Sequence, residues 1–192
     1  MSWEQVYQQW LNEENIPENL KNELKDLNTD PEKCEDAFYA PLEFGTAGMR
    51  GILGAGINRM NIFTVRQATE GLARFMDTQD PETKRRGVAI AYDSRHMSPE
   101  FAMEAAKTLA KHDIPSFVFE SLRPTPELSF AVRYFKAFAG IMITASHNPA
   151  AYNGYKVYGE DGGQMPPADA DALTKYVRSI ENPLKIDVLS DE

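Results

Sequence analysis

Residues 87–110 read GVAIAYDSRHMSPEFAMEAAKTLA. The run 87–92 is apolar without alternation and stops at Asp93-Ser94-Arg95, the pattern of a strand buried on both faces. Ser98-Pro99-Glu100 then supplies a cap, a proline for the first turn and an acid, which together start a helix. Phe101, Ala102, Ala105, Ala106 and Leu109 recur at the spacing of one helical face. A buried strand that turns directly into a helix is half of a βαβ unit, and it sets the expectation for the rest of the chain.

Working outward, the pattern repeats. Asn61 caps a helix reaching about residue 78, with Ile62, Val65, Thr69, Leu72 and Met76 along one face. PSFVFE (115–120) is the next strand, Thr125-Pro126-Glu127 caps another helix, and AFAGIMIT (137–144) is the most apolar strand of all. GYKVYG (154–159) alternates and is expected to pair as an edge or antiparallel strand. A last helix spans about 168–181. Before all of these, Trp3, Val6, Tyr7, Trp10 and Leu11 mark an amphipathic helix over 3–14, Pro17 opens a second, and Asp30-Pro31 caps and starts a third. The predicted fold class is α/β: a three-layer α/β/α domain over 41–182 with a mixed, mostly parallel sheet of about four strands. A helical extension occupies 1–40, and 183–192 is expected to begin a linker.

Composition narrows the function. Of 192 residues, 42% are hydrophobic and 26% charged, ordinary for a globular domain. The net charge of -9 comes from 29 acidic against 20 basic residues. No basic block longer than Lys84-Arg85-Arg86 appears, and that triplet reads as a solvated loop, so nucleic acid is excluded as a partner. No stretch of about eighteen apolar residues suggests a membrane span. With no signal peptide at Met1-Ser2-Trp3 and a single cysteine, Cys34, read as a helix residue, the expected location is the cytoplasm.

In a sheet of this kind, ligands gather at the carboxyl ends of the strands. Two polar clusters fall there, Asp93-Ser94-Arg95 and Ser146-His147-Asn148. Ser146 is either a nucleophile or a residue capping a turn. It lacks the Gly-x-Ser-x-Gly elbow, and adjacent side chains on an extended segment point apart, so a relay from His147 is not expected. Asp93 to Arg95 is either an Asx turn leading to the Ser98 cap or a source of positive charge near Ser146. Lys156, on the following strand, is the strongest partner for Ser146, as a charge clamp or a general acid/base. Arg50 lies between glycines in GTAGMRG (45–51), open to a surface role or to bidentate phosphate contact. GAG at 54–56 is not a dinucleotide fingerprint, no P-loop is present, and His96 and His112 have no metal-ligand spacing.

Four segments, TASHNPAAYNGYKVYGEDGGQ, EFGTAGMRG, AYDSR and RPTPEL, together resemble the N-terminal domain of the α-D-phosphohexomutases, the phosphoglucomutase/phosphomannomutase superfamily. The resemblance covers about 40–180. Gly159 and Gly163 depart from it, standing where an aromatic and an alanine are common. It implies a mutase interconverting hexose 1-phosphate and hexose 6-phosphate, with a phosphopentomutase-type member or a non-catalytic sugar-phosphate-binding domain as alternatives. It implies that Ser146 is the phosphoserine, that His147 positions it, and that Lys156 is the candidate acid/base. Arg50 matches the arginine of the N-terminal active-site loop, and Asp93 and Arg95 a strand-end motif supporting the serine loop. Arg50, Arg95, Asn148 and Lys156 are the candidate phosphate-binding residues. The implied cofactors are Mg²⁺, bound to Ser146 through its phosphate, and a glucose 1,6-bisphosphate-type activator. The aspartate ligands and the sugar-recognition loop belong to further domains, the implied partners of this one along with a phosphosugar substrate, and the domain alone is expected to be inactive.

Overall fold

The computed structural model describes residues 1–45 and 48–190. Thr46 and Ala47, within the EFGTAGMRG motif, and Asp191 and Glu192, at the end of the expected linker, lie outside the described residues. Three helices come first: α1 (Trp3–Leu11), α2 (Glu18–Leu27) and α3 (Pro31–Phe38). Then follow β1 (Met49–Ile52), α4 (Ile62–Asp77), α5 (Pro81–Arg86), β2 (Val88–Tyr92), α6 (Ser98–Ala110) and β3 (Ser116–Val118). The remainder is α7 (Thr125–Phe135), β4 (Ala139–Ile143), β5 (Tyr152–Tyr158) and α8 (Pro167–Arg178).

Among the described residues the strands form one sheet in the order β1-β5-β4-β2-β3. β2 pairs parallel with β3 and β4, whereas β5 pairs antiparallel with β4 and β1. The α/β/α layering and mixed sheet stand as expected. The strand count does not: the sheet has five strands, and its pairings divide evenly between the two senses. The extra strand is β1, in the glycine-rich segment that shows no alternation. With β1 on its outer side β5 is an interior strand and not an edge, while the antiparallel pairing expected as the alternative holds.

The alternation of side chains across the sheet assigns the layers. Ile141 and Ile143 of β4, with Tyr155 and Val157 of β5, pack with Leu72 of α4, Phe101 and Leu109 of α6, and Leu173 and Val177 of α8. Met142 and Tyr158 point the other way, with Ala89 and Ala91, against Leu128, Ala131 and Val132 of α7. One face therefore carries three helices and the other a single one.

Asn61 does more than cap α4. Its Oδ1 accepts from the Phe63 and Thr64 amides at 3.0 and 3.1 Å, and Thr64 Oγ1 accepts from its amide at 3.0 Å. Its Nδ2 donates to the carbonyls of Gly54 and Gly56 at 2.9 and 2.8 Å, which pins the glycine-rich segment to the helix start.

The N-terminal helices form a second apolar cluster around Tyr7, Trp10, Leu20, Leu24 and Phe38, which takes in Phe63 and Leu184 from the rest of the chain. Trp10 packs edge-on against Phe63 at 5.2 Å and Phe38 at 5.7 Å. Cys34 is buried there. Residues 183–185 make a single 3₁₀ turn, and Lys185 Nζ donates to Glu13 Oε2 at 2.6 Å. The Leu189 amide then donates to the Lys107 carbonyl at 3.2 Å, so this stretch lies against the domain.

Three local expectations are corrected. Lys84, Arg85 and Arg86 belong to the short helix α5, capped by Asp80, rather than to a loop. Lys84 pairs with Asp77, Arg85 with Glu82 and Arg86 with Glu160, so acids neutralise the whole triplet. Thr125 gives α7 no side-chain cap, because it is already the first residue of the helix and Pro124 holds the cap position. Likewise Ser98 is the first residue of α6, and the cap position belongs to Met97 in a left-handed conformation, φ 65°.

Candidate active site

β4 and β5 are antiparallel neighbours, and the loop between them carries Ser146, His147 and Asn148 past the end of the sheet. The loop is built on close backbone approach. The Thr144 amide donates to the Gly154 carbonyl at 3.0 Å, and a Cβ on Gly154 would stand 2.6 Å from the Thr144 oxygen, a contact only glycine permits. Gly48, at φ +87°, brings the chain against β5 so tightly that a Cβ would fall 1.9 Å from the Tyr155 carbonyl.

Ser146 has φ 58°, the left-handed region that a residue with a Cβ enters only at a cost of roughly 1 kcal/mol. Three contacts hold it there. Its amide donates to Thr144 Oγ1 at 3.0 Å, its carbonyl accepts from Arg95 Nη2 at 2.8 Å, and the Asn148 amide closes a turn on the Ala145 carbonyl at 3.1 Å. Ser146 and His147 are both exposed. Because the segment turns, their side chains meet after all: Ser146 Oγ lies 3.2 Å from His147 Nδ1. The expected divergence of these neighbours assumed extended backbone, and the left-handed serine removes that premise.

Arg95 takes a different place from the phosphate-binding role implied for it. Nη1 donates to the Pro149 and Tyr152 carbonyls at 2.9 and 3.0 Å, and Nη2 to the Ser146 and Asn148 carbonyls at 2.8 and 2.7 Å. Nε stands 3.5 Å from Asp93 Oδ2. Of the five N–H donors of a guanidinium, the four terminal ones are taken by loop carbonyls, and Nε faces Asp93 as an ion pair. Both readings of Asp93 to Arg95 thus merge: Asp93 Oδ1 accepts from the Arg95 amide at 2.9 Å in an Asx turn, and the turned arginine clamps the serine loop.

Arg50 and Lys156 complete the rim. Arg50, exposed on β1, sits in register with Gly154, and its Nη1 donates to Asn148 Oδ1 at 2.8 Å. Lys156 lies in register with Met142 of β4, while Tyr155 and Val157 on either side are buried. Burial pushes the Lys156 ammonium below its usual range, the Arg50 charge pushes in the same direction, and the Asp93 carboxylate opposes both. In a chain of net charge -9, Arg50 thus bonds the serine loop at Asn148 and its charge reaches Lys156, an arrangement suited to an anionic ligand.

Sequence reading missed Thr144, Ser98 and Asn153. Thr144 holds the serine amide; Ser98 and Asn153 are buried beneath the loop. Asn153 does leave a signal, since a poor strand former stands two residues before Tyr155, on the core-facing side of an alternating strand.

Residues 41–184 match the family model described as phosphoglucomutase/phosphomannomutase, alpha/beta/alpha domain I. The chain belongs to that family. Among its relatives, this family member is 43% identical over 178 residues to a phosphoglucomutase of Staphylococcus saprophyticus, covering 93% of this chain and 31% of that protein. It is 46% identical over 163 residues to a phosphoglucomutase of Staphylococcus epidermidis, covering 85% of this chain and 29% of the other. A crystal structure described as a phosphomannomutase of Thermus thermophilus superposes with TM-score 0.66 at 31% identity, covering 78% of this chain and 33% of that one. The open form of the Paramecium phosphoglucomutase parafusin shares the fold, with TM-score 0.59 at 20% identity over 74% of this chain and 26% of that one. The chain therefore spans about three tenths of the length of the curated relatives it matches.

Proposed function

We propose that this phosphoglucomutase/phosphomannomutase-family domain carries the nucleophile of a mutase that interconverts hexose 1-phosphate and hexose 6-phosphate. Ser146 is its phosphoryl carrier. The observation that carries this reading is the conformation of Ser146: an exposed hydroxyl held left-handed at a strand end, beside His147, in a loop that Arg50 bonds through Asn148.

In the forward half-reaction a sugar hydroxyl oxygen attacks phosphorus of phospho-Ser146. The O–P bond to the sugar forms as the sugar hydroxyl releases its proton to water, the bond to Ser146 Oγ breaks, and Oγ takes a proton to end as the neutral hydroxyl; in the return step the departing sugar oxygen recovers a proton from water. Lys156, its ammonium destabilised by burial, donates that proton, and it accepts one when Ser146 attacks the bisphosphate in the return step. His147, beside Oγ, orients it. Charge developing on the equatorial oxygens is met by Arg50 and Lys156, which is where catalysis of phosphoryl transfer resides. Asn148 orients Arg50. A hexose 1,6-bisphosphate charges Ser146 and is the activator.

Mg²⁺ is the metal this family implies, and a phosphate on Ser146 offers it an oxygen. Among the described residues, however, no group of three His, Cys, Asp or Glu side chains is placed to hold an ion. The donors of this chain do not fit the metal by themselves, and no step above passes through it. Completion of the metal site, and recognition of the sugar, are assigned to segments of the longer relatives that lie outside the stretch this chain matches. The reading places the protein in the cytoplasm, supported by a lone, buried Cys34; among the described residues no helix is long and apolar enough to cross a membrane.

The test is Ser146→Ala in the protein that carries the remaining domains. Hexose-phosphate interconversion should fall to background, with the thermal midpoint retained. Undiminished turnover would overturn the assignment.

A further inference from the structure

Beneath the serine loop lies a tier of polar side chains that touches none of the reacting atoms. Ser98 and Asn153 are both fully buried. Asn153 Nδ2 donates to Ser98 Oγ and to the His96 carbonyl, each at 2.9 Å, while its Oδ1 accepts from the Gly154 amide at 2.7 Å. Ser98 Oγ donates to Asp93 Oδ1 at 2.9 Å, the same oxygen that accepts the Arg95 amide. Arg95 then holds the carbonyls of Ser146, Asn148, Pro149 and Tyr152.

Every link in this series has a direction. The Ser98 hydroxyl has one proton; with Asn153 donating to its oxygen, that proton goes to Asp93. The hydroxyl does not serve the helix it sits on, since α6 has no side-chain cap. Asp93, held from two sides on Oδ1, keeps Oδ2 turned to Arg95 Nε. The guanidinium is planar and rigid, so fixing Nε fixes where its four terminal N–H groups point. Those groups set the carbonyl of Ser146, and a fixed carbonyl leaves the left-handed serine no easy relaxation.

We propose that Ser98 and Asn153 are positioning residues for Ser146: they orient Asp93, Asp93 orients Arg95, and Arg95 holds the nucleophile in its left-handed conformation. The chemical consequence rests on Ser146 being a phosphoryl carrier; the geometric claim does not. Asn153 is on β5 and Ser98 opens α6, so the relay ties the loop to both strand and helix rather than to its own flanks.

The experiment compares Ser98→Ala, Ser98→Thr and a control, Thr108→Val, in the 192-residue chain. Thr108 is also a fully buried hydroxyl of α6, but it bonds the Glu104 carbonyl one turn back, away from the loop. Amide resonances and hydrogen exchange of Ser146 and Asn148 are read by NMR alongside the thermal midpoint. Ser98→Ala should displace both resonances and speed exchange of the Ser146 amide about tenfold, the scale of one lost hydrogen bond. Ser98→Thr should restore both, and Thr108→Val should lower the midpoint without moving either. If Ser98→Ala does not fold, Ser98→Cys, a weak donor of similar size, is scored by the same signals. Unmoved loop resonances in folded Ser98→Ala or Ser98→Cys, or equal displacement in Thr108→Val, overturn the proposal. Incubating the protein that carries the remaining domains with glucose 1,6-bisphosphate separates the two claims. A loop that loosens in Ser98→Ala while Ser146 never gains a phosphoryl group supports the positioning relay and refutes the carrier reading alone.

Discussion

Arg50 Nη1 donates to Asn148 Oδ1 at 2.8 Å, joining β1 to the serine loop across most of a domain's worth of sequence. The same guanidinium presses on Lys156, whose ammonium is disfavoured first by burial and then by this neighbouring charge. Arg50 therefore has two separable effects, one geometric on Asn148 and one electrostatic on Lys156.

Replacing Arg50 with Gln separates them, since an amide keeps a donor for Asn148 and loses the charge. Lys156 should then titrate at higher pH than in the unaltered protein, followed through its side-chain NMR signals. Phosphoryl transfer should drop by about 10²–10³, the usual cost of one preorganised group facing developing charge. An unchanged Lys156 titration would show that the two cations do not interact.

Lys156 also sets a pH dependence of stability. Its folded pKa lies below the ordinary 10.5, so between the two values the unfolded chain binds more protons. Stability attributable to this group rises with pH across that window, and at pH 7 the penalty is fully present. Lys156→Met should leave the thermal midpoint equal or higher at pH 7 while phosphoryl transfer falls by about 10² or more. A clear loss of stability at pH 7 would mean that the lysine is a structural anchor.

How much of the fold and site was legible in the sequence depends on which forces were local. Asn61 and Asp30 cap the helices they precede, because capping is settled within a few residues. The apolar runs at β2 and β4 are strands because nothing else buries such runs in so few residues. The place of β1 in the sheet was not visible, since Met49–Ile52 owes its pairing to Tyr155 and Gly154 on β5, far along the chain. Ser98 looks like a cap from its neighbours, yet its hydroxyl is taken by Asp93 and Asn153. The loop around Ser146 was legible as a site and its internal geometry was not, because one left-handed φ reverses where His147 points.

His112 illustrates the same limit. Without metal-ligand spacing it reads as an isolated histidine, but its Nε2 lies 2.8 Å from Glu70 Oε2 and its Nδ1 2.7 Å from Asp77 Oδ2. Burial pushes the Glu70 carboxyl up, but hydrogen bonds from His112 and Arg74 outweigh it and hold it below its ordinary 4.5. Asp77 is held low in the same way, with Lys84 and His112 overcoming burial. A carboxylate with a depressed folded pKa contributes stability above its unfolded pKa and loses it as pH falls through the folded value. Acid unfolding of His112→Gln, followed by circular dichroism, should therefore have its midpoint at higher pH. An identical midpoint would show that the histidine holds neither acid.

Trp10 is the keystone of the helical extension, fully buried against Phe38 and Phe63. Trp10→Ala should cost about 3–5 kcal/mol, measured by denaturant unfolding. A loss under about 1 kcal/mol would mean that the extension contributes little to the domain it covers.

Peptide mass spectrometry after exposure to glucose 1,6-bisphosphate tests the central claim most directly, applied to the protein with its remaining domains. One phosphoryl group is expected on the peptide containing Ser146, lost when hexose phosphate is added and absent in Ser146→Ala. Active protein whose Ser146 is never phosphorylated would contradict the phosphoryl-carrier mechanism.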